Sequence, residues 1–260
     1  MLSKHGIPLS DLADWEMRAG PKKASQWKPG RSALEVARAW LASASTGMPS
    51  EILATLATNS AFGPVLRWEA EPEVRLAIDS RRGEPRNTDL LVIAHDAMGA
   101  YVIAVEAKAD ESFDREYAVV LAEALEARLA NPRSGALERA VDLAKALLPA
   151  HRAGHPAVAG LRYQLFTAAV GALCEAERRD ISRVVLMIHE FVTDVTTDSN
   201  HERNASDLDA WISRISDGAH TSVPSERLIG PIRVPGTPST RGPGMLFVGK
   251  AVRRLRGSGV

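Results

Sequence analysis

The stretch from residue 87 to residue 110, NTDLLVIAHDAMGAYVIAVEAKAD, carries two short apolar runs separated by a polar link. Leu90 to Ala94 is the first run, Tyr101 to Val105 is the second, and the link between them ends in Gly99. Runs this short, rich in Val, Ile and Leu, favour two strands joined by a turn over one long helix. The stretch therefore predicts a buried β-hairpin, and the rest of the chain has to be arranged around it.

Charged residues stand at the outer ends of these two runs. Asp89 opens the first strand, and Glu106 and Lys108 close the second. Because Glu106 and Lys108 are two residues apart on a strand, their side chains point to the same face. A hairpin also places the start of its first strand beside the end of its second. We therefore expect two carboxylates and one ammonium to converge at one end of the sheet.

Two carboxylates beside a lysine suit a particular chemistry. Carboxylates bind hard divalent cations such as Mg2+, which keep several water ligands and accept phosphate oxygens of a substrate. A nearby ammonium can orient or deprotonate an attacking water and stabilise developing negative charge. The alternative interpretation is a solvated Glu–Lys pair at a strand end, which is very common on protein surfaces.

At Asp89 and Glu106-Ala107-Lys108 the sequence resembles the PD-(D/E)xK nuclease superfamily, which has the restriction-endonuclease-like fold. The superfamily pattern is an acidic residue that opens one core strand, a hairpin, and then (D/E)-x-K on the next strand. Thr88 stands where the superfamily has proline. The resemblance implies that Asp89, Glu106 and the Ala107 carbonyl ligate Mg2+ or Mn2+. It also implies that Lys108 positions or activates water for phosphodiester hydrolysis.

The resemblance suggests further site residues. Gln164, in RYQLFTAAVGAL, is similar to a glutamine that RecB-like branches carry on the helix after the E-x-K strand, although here another helix intervenes. The superfamily often adds one more acidic ligand, for which the candidates are Glu35, Glu51 and Glu73. Glu35 and Glu51 have a simpler interpretation as acids at helix starts, with Ser32 and Glu35 forming a capping box.

Three arginines lie in the turn before the hairpin and could contact phosphates: Arg81, Arg82 and Arg86. For any one of them, a solvated basic turn is the simpler interpretation.

Periodicity places the remaining elements around the hairpin. Residues 68–79, which alternate cleanly after Pro72, predict a half-buried strand, and residues 157–178 have helical spacing. Arg183 to Val192 is a nearly continuous apolar run typical of a buried strand. The predicted fold is α/β, with the α-β-β-β-α-β order of the restriction-endonuclease-like core and a mixed central sheet flanked by helices. We expect an N-terminal arm over residues 1–31, a core over 32–192, and a C-terminal extension over 193–260 with peripheral strands at 228–234 and 245–249.

Composition limits the remaining possibilities. Thirty-two basic residues balance thirty-two acidic residues, so the net charge does not itself indicate a nucleic-acid partner. A single cysteine, Cys174, excludes a disulfide framework within the chain and is consistent with a reducing cytoplasm. No apolar run approaches the length of a membrane span, and the first residues lack the apolar region of a signal peptide. Walker A, GxGxxG, HExxH, CxxC and GxSxG motifs are absent from the sequence.

The sequence leaves three functional hypotheses. The first is a bacterial, cytoplasmic, Mg2+-dependent nuclease that acts on nucleic acid, with DNA favoured over RNA and with a role in restriction or phage defence. A homodimer is compatible with it, because many nucleases of this fold pair to cut two strands. The second is a catalytically inactive relative that serves as a binding or assembly module. The third is an unrelated α/β enzyme with a different site.

Overall fold

The computed structural model describes residues 1–79, 81, 85–236 and 244–255. Its helices are α1 Leu12–Ala19, α2 Ser32–Ser43, α3 Ser50–Ala57, α4 Tyr117–Ala130, α5 Ala136–Leu147, α6 Tyr163–Arg178 and α7 Asp198–Ile215. Its strands are β1 Ser3–Lys4, β2 Ile7–Pro8, β3 Arg67–Leu76, β4 Arg86–Asp96, β5 Gly99–Lys108, β6 Arg183–Val192, β7 Arg227–Val234 and β8 Gly244–Arg254. The fold is mixed α/β.

A mixed sheet of six strands, in the order β3-β4-β5-β6-β8-β7, forms the middle layer of the described chain. The predicted hairpin is confirmed, because β4 and β5 pair antiparallel from Leu90↔Val105 to Asp96↔Gly99. At its turn, Asp96 accepts a hydrogen bond from the Met98 N–H, and Gly99 has a φ of 115°. β6 then joins β5 in parallel, and β8 joins β6 in parallel.

The two faces of the sheet are covered by different helices. Val102 and Ala104 of β5 belong to a core cluster that includes Phe166 of α6, and we call this side the α6 face. Ile103 and Val105 belong to a second cluster with residues of α1, α2 and α3, and we call that side the α2 face. Because helices bury both faces, β5 and β6 read as continuous apolar runs in the sequence.

Several boundaries differ from the sequence expectations. β3 begins at Arg67, next to the expected residue 68, runs through Pro72, and ends at Leu76 rather than at residue 79. β3 lies at the edge of the sheet, where a residue without an N–H is tolerated. α6 begins at Tyr163 rather than at residue 157, since Val158–Gly160 forms a separate turn of 3-10 helix.

The C-terminal strands are part of the main sheet. β8 lies between β6 and β7 and pairs with β6 from Val184↔Leu246 to Val192↔Arg254. The expectation that residues 245–249 form a peripheral strand is therefore wrong, and of these two C-terminal strands β7 alone lies at an edge of the sheet. The sequence could not show this, because a short apolar run can pair with any available strand edge. Among the helices of the described residues, none combines the length and the apolar character needed to cross a membrane.

Candidate functional site

The two acidic residues of the hairpin lie at neighbouring positions at one end of the sheet. Asp89 comes directly before Leu90 and Glu106 directly after Val105, and Leu90 pairs with Val105. Their alternation with the apolar residues places both side chains on the α6 face, together with Lys108. The Ala107 N–H donates to Asp89 Oδ2 at 2.7 Å, which connects the two strand ends.

Glu106 is the centre of a network of donors. Its side chain is 2% exposed, and Lys108 Nζ donates to its Oε1 at 3.2 Å. Gln164 Nε2 donates to the same oxygen, and the Arg86 guanidinium donates to Oε2. A buried carboxylate requires hydrogen-bond donors and positive charges of this kind, because an unpaired buried charge costs on the order of several kcal/mol.

Gln164 reaches Glu106 because α6 starts beside the end of β5. The Tyr163 N–H donates to the Arg115 carbonyl, and the Asp114 N–H donates to Gln164 Oε1 at 3.1 Å. The loop after β5 and the first turn of α6 therefore hold each other. The intervening helices α4 and α5 form a hairpin-like excursion that does not separate Gln164 from the sheet end.

The two carboxylates have different protonation behaviour. Burial raises the pKa of Asp89 to about 7, and the neighbouring charge of Glu106 acts in the same direction. Burial would also raise the pKa of Glu106, but Arg86 and Lys108 outweigh it and hold that pKa below its ordinary value. The site therefore carries one firmly ionised carboxylate and one that is poised to take up a proton near neutral pH.

Glu73 is the third acidic residue at this end of the sheet. Pro72 pairs with Leu90 and Val74 with Thr88, so Glu73 is placed across from Asp89. Its backbone has a φ of 50°, which is unusual for a residue with a side chain. Burial raises the pKa of Glu73, and a hydrogen bond from Asn87 opposes that effect. A strained residue at a site is a reason to suspect function.

These residues line one open cleft of about 590 Å³. Its floor contains Glu73, Asp89, Glu106, Lys108 and Gln164. Loop 110–114 and residues of α7 form one side, and the N-terminal arm with the start of α2 forms another. Ala107 also lines the cleft, so the structure brings six of the residues singled out in the sequence into one solvent-accessible site.

A family model described as a domain of unknown function, DUF6946, matches residues 8–241. The chain belongs to the DUF6946 family. The matched range contains β3, β4, β5, α6 and the whole of the cleft floor. No curated protein and no solved structure matches the chain.

Glu35 and Glu51 lie outside the cleft of this DUF6946 chain. Glu51 of α3 accepts from His189 at 2.9 Å and pairs with Arg253 at 3.3 Å. His189 stands two residues from both Met187 and Phe191 on β6, and these two belong to the α2-face cluster. The Glu51–His189 pair therefore lies on the opposite side of the sheet from Glu106. Although burial would raise the pKa of Glu51, the hydrogen bond from His189 and the charge of Arg253 lower it to about 2. Glu51 is thus a paired structural acid.

Glu35 also serves the fold locally. The predicted capping box is wrong, because α2 begins at Ser32 itself and Glu35 Oε1 accepts from the Gly30 N–H at 2.8 Å and from Arg38 at 3.2 Å. The carboxylate is buried against its own helix start, and its residue is not part of the cleft wall.

The arginines of the turn before β4 have separate positions. Arg81 pairs with Asp142 of α5 at 2.5 Å and with Asp79 at 3.7 Å, away from the cleft. Arg86 points inward to Glu106. Arg82 lies outside the described residues. The structure therefore does not gather Arg81 and Arg86 into one surface for phosphates.

The DUF6946 cleft has walls that sequence reasoning did not find. α7 contributes Asn200 and the exposed Arg203, and the arm contributes Trp15 and Gln26. No short motif marks these positions, and they are separated by almost two hundred residues in the chain. Only the packing of the arm and α7 against opposite sides of the sheet end brings them together.

Proposed function

We propose that this DUF6946 chain is a metal-dependent nuclease that hydrolyses phosphodiester bonds. The observation that carries the proposal is the meeting of Asp89, Glu106, Lys108 and Gln164 in one cleft at the end of a hairpin. Residues 89 and 106–108 are those of the superfamily motif, and Gln164 comes from a distant helix. A solvated Glu–Lys pair at a strand end would not require this convergence.

The order of the elements supports a restriction-endonuclease-like fold. Helices α2 and α3 are followed by the antiparallel strands β3, β4 and β5, then by helices, and then by β6 parallel to β5. This is the α-β-β-β-α-β order that the resemblance implies. The additional strands β8 and β7 extend the same sheet.

The donor set fits a hard divalent cation. Among the described residues, no group of three or more His, Cys, Asp or Glu side chains is arranged to hold a metal. In many proteins Mg2+ or Mn2+ is nevertheless bound by one or two carboxylates, and water and substrate oxygens complete its coordination shell. Asp89 and Glu106 would hold the ion, together with the Ala107 carbonyl. Burial and, after it, the neighbouring charge of Glu106 raise the pKa of Asp89, and a cation between the two carboxylates would relieve their repulsion.

When bound, such a cation would polarise a phosphate oxygen and stabilise the charge that develops on it. The chain itself supplies the positioning. Lys108 lies 3.2 Å from Glu106 and 5.2 Å from the centre of the Phe113 ring, which fixes its ammonium at the cleft floor. From there it would orient the attacking water. Gln164 would hold the Glu106 carboxylate in position.

Arg203 is the residue we propose for contact with a substrate phosphate. The described residues that line the cleft include six with carboxylates: Glu73, Asp89, Glu106, Asp110, Glu111 and Asp114. Its described cations are Lys108, which pairs with Glu106, and Arg203, which is exposed. A polyanion entering this cleft needs a cation at the rim, and an arginine provides bidentate phosphate binding. DNA as the substrate, and restriction or phage defence as the setting, rest on the resemblance alone.

A second candidate function is a non-catalytic binding module. The satisfied network around Glu106, with two cations and an amide as partners, favours it, because such a network can serve stability alone. The two candidates differ in whether the chain binds a divalent cation and cuts nucleic acid.

The test is cleavage of single-stranded DNA, duplex DNA and RNA with Mg2+ or Mn2+, comparing wild type with Glu106→Gln and Lys108→Met. We expect both substitutions to lower the rate by about 10²-fold or more, since each removes a charged group that acts on the reacting phosphate. Glu51→Gln is the matched control, because Glu51 is a partly buried acid on the α2 face. The rate of this variant should stay within about twofold of wild type as long as it is folded.

Calorimetric titration with Mn2+ completes the test. Loss of binding in Glu106→Gln but not in Glu51→Gln would support the nuclease. Absence of metal binding and of cleavage in the wild type, with retained binding of nucleic acid, would instead establish the binding module. Equal cleavage by wild type and Glu106→Gln would refute the proposed site.

A further inference from the structure

Arg86 is bound to the carboxylate of Glu106, which the proposed function assigns to a metal ion. Its guanidinium donates to Glu106 Oε2, and its side chain is 15% exposed. Arg86 is the first residue of β4, and its backbone is paired with Leu76 of β3. Only rotation of the side chain can therefore move the guanidinium.

The interaction is electrostatically strong but incompletely satisfied. Burial would lower the pKa of Arg86, and the charges of Glu106 and Asp89 more than compensate and raise it. Its Nε is buried without a hydrogen-bond partner among the described residues. The guanidinium thus has a favourable charge partner and one unused donor, which is not the geometry of a fully satisfied structural ion pair.

A divalent cation and this guanidinium compete for the same oxygen. Glu106 is contacted by Lys108 on Oε1 and by Arg86 on Oε2, so its charge is already balanced within the protein. A cation that approaches Oε2 would meet a fixed positive charge at hydrogen-bond distance from its ligand. Coulomb repulsion at such short range in a partly buried site is large.

We propose that Arg86 is an internal counter-ion that keeps the Glu106 site closed to divalent cations and leaves it when a phosphate offers a better anionic partner. The inference rests on the proposed function, because it assigns Glu106 to a metal. Cation binding and phosphate binding would then favour each other, as linkage requires when both displace the same contact. Free protein would bind Mg2+ or Mn2+ weakly, and the protein–substrate complex would bind it well.

The test is the affinity for Mn2+, measured by calorimetry without any substrate. Arg86→Met keeps the length and apolar stem of the side chain and removes its charge. We expect it to bind Mn2+ at least tenfold more tightly than wild type. Arg75→Met is the matched control, because Arg75 is an exposed arginine on the neighbouring strand β3 and should leave the affinity unchanged.

A purely structural role for Arg86 predicts the opposite result. Loss of a structural ion pair would loosen the site and weaken or abolish Mn2+ binding, so a gain in affinity is a readout that misfolding cannot imitate. Circular dichroism spectra check that each variant is folded. Should Arg86→Met not fold, Arg86→Gln, which retains an amide donor for Glu106, takes its place with the same expected gain.

The outcomes separate this inference from the function on which it rests. Equal or weaker Mn2+ binding in Arg86→Met, together with loss of binding in Glu106→Gln, would leave the metal site in place and overturn the role of Arg86. Absence of Mn2+ binding in the wild type, in both Arg86 variants and in the control would overturn the metal site itself. Tighter binding in Arg86→Met that disappears in Arg86→Met/Glu106→Gln supports both.

Discussion

At the scale of single residues, the site divides its negative charge unequally between two neighbouring carboxylates. Glu106 receives Arg86, Lys108 and Gln164, whereas Asp89 receives the Ala107 N–H and the unfavourable charge of Glu106. Burial, reinforced by the charge of Glu106, raises the pKa of Asp89 to about 7, whereas Arg86 and Lys108 outweigh burial and lower the pKa of Glu106. Such an arrangement costs stability, because a buried carboxylate beside a like charge is unfavourable.

This imbalance predicts how stability depends on pH. The pKa of Asp89 is about 3.8 when unfolded and about 7 when folded, so the folded protein binds this proton more tightly. Its stabilising contribution is present below pH 4 and is lost as the pH rises toward 7 and beyond. Asp89→Asn, which cannot ionise, should therefore be more stable than wild type at pH 8. Since Asp89 is partly exposed, we expect a gain of roughly 1–3 kcal/mol.

Urea unfolding of wild type and Asp89→Asn at pH 5 and pH 8 measures this effect. The advantage of Asp89→Asn should be smaller at pH 5 than at pH 8, because the contribution of Asp89 is lost progressively between its unfolded pKa of 3.8 and its folded pKa of about 7. A difference that is the same at both pH values would show that Asp89 does not titrate in this range.

At the scale of elements, strand β3 changes the direction of its side chains at Glu73. Ala70 belongs to the α2-face cluster, whereas Leu76, six residues later, belongs to the α6-face cluster. In a regular strand, residues an even number apart share a face, so the alternation must reverse between them. The positive φ of Glu73 accounts for the reversal and places its carboxylate at the cleft.

The reversal predicts an unusual order of two substitutions. Within a strand, glycine is normally less stable than alanine by about 0.5–1 kcal/mol. At Glu73 the left-handed backbone penalises every residue with a Cβ by roughly 1–2 kcal/mol. Glu73→Gly should therefore be more stable than Glu73→Ala, by on the order of 1 kcal/mol.

Thermal or urea unfolding of the two variants side by side decides the point, and both lack the carboxylate, so its charge cancels from the comparison. Arg75 provides a control position on the same strand, where Arg75→Ala should be more stable than Arg75→Gly. If Glu73→Ala were instead more stable than Glu73→Gly, the backbone of β3 would not be strained at residue 73.

At the scale of the whole molecule, the sheet joins all parts of the chain into shared cores. β8, from the C-terminal part, lies between β6 and β7, and Trp211 of α7 is completely buried against the α6 face. On the other side, Leu2 forms a bridge with Ala70, and Trp15 is buried in the α2-face cluster. The segments outside residues 32–192 therefore complete both cores.

A fragment consisting of residues 32–192 should consequently fail to fold cooperatively. Its β6 would have an unpaired edge, and the partners of the buried Trp211 and Trp15 would be exposed to water. We expect the full chain to melt in one transition by circular dichroism and the fragment to show none. A fragment with a cooperative transition near that of the full chain would contradict a shared core.

The sequence by itself determined the hairpin, the buried strand β6 and the place of Asp89, Glu106 and Lys108 at a strand end. These features follow from local rules, because the period of apolar residues and the two-residue repeat of a strand are read within a few positions. The order of helices and strands was also predictable, because each element has its own periodic pattern. The end of β3 and the start of α6 were less predictable, and a short 3-10 turn before α6 decided the latter.

Only the tertiary structure decided which acid joins the site and what surrounds it. Glu35, Glu51 and Glu73 were equal candidates in the sequence, and packing placed Glu51 with His189 on the far face and Glu73 across from Asp89. It also turned Arg86 toward Glu106 and inserted β8 beside β6. The physical reason is the same in each case. Which distant segments pair depends on the strand edges and charges that the rest of the fold leaves available, and no local pattern in the sequence contains that information.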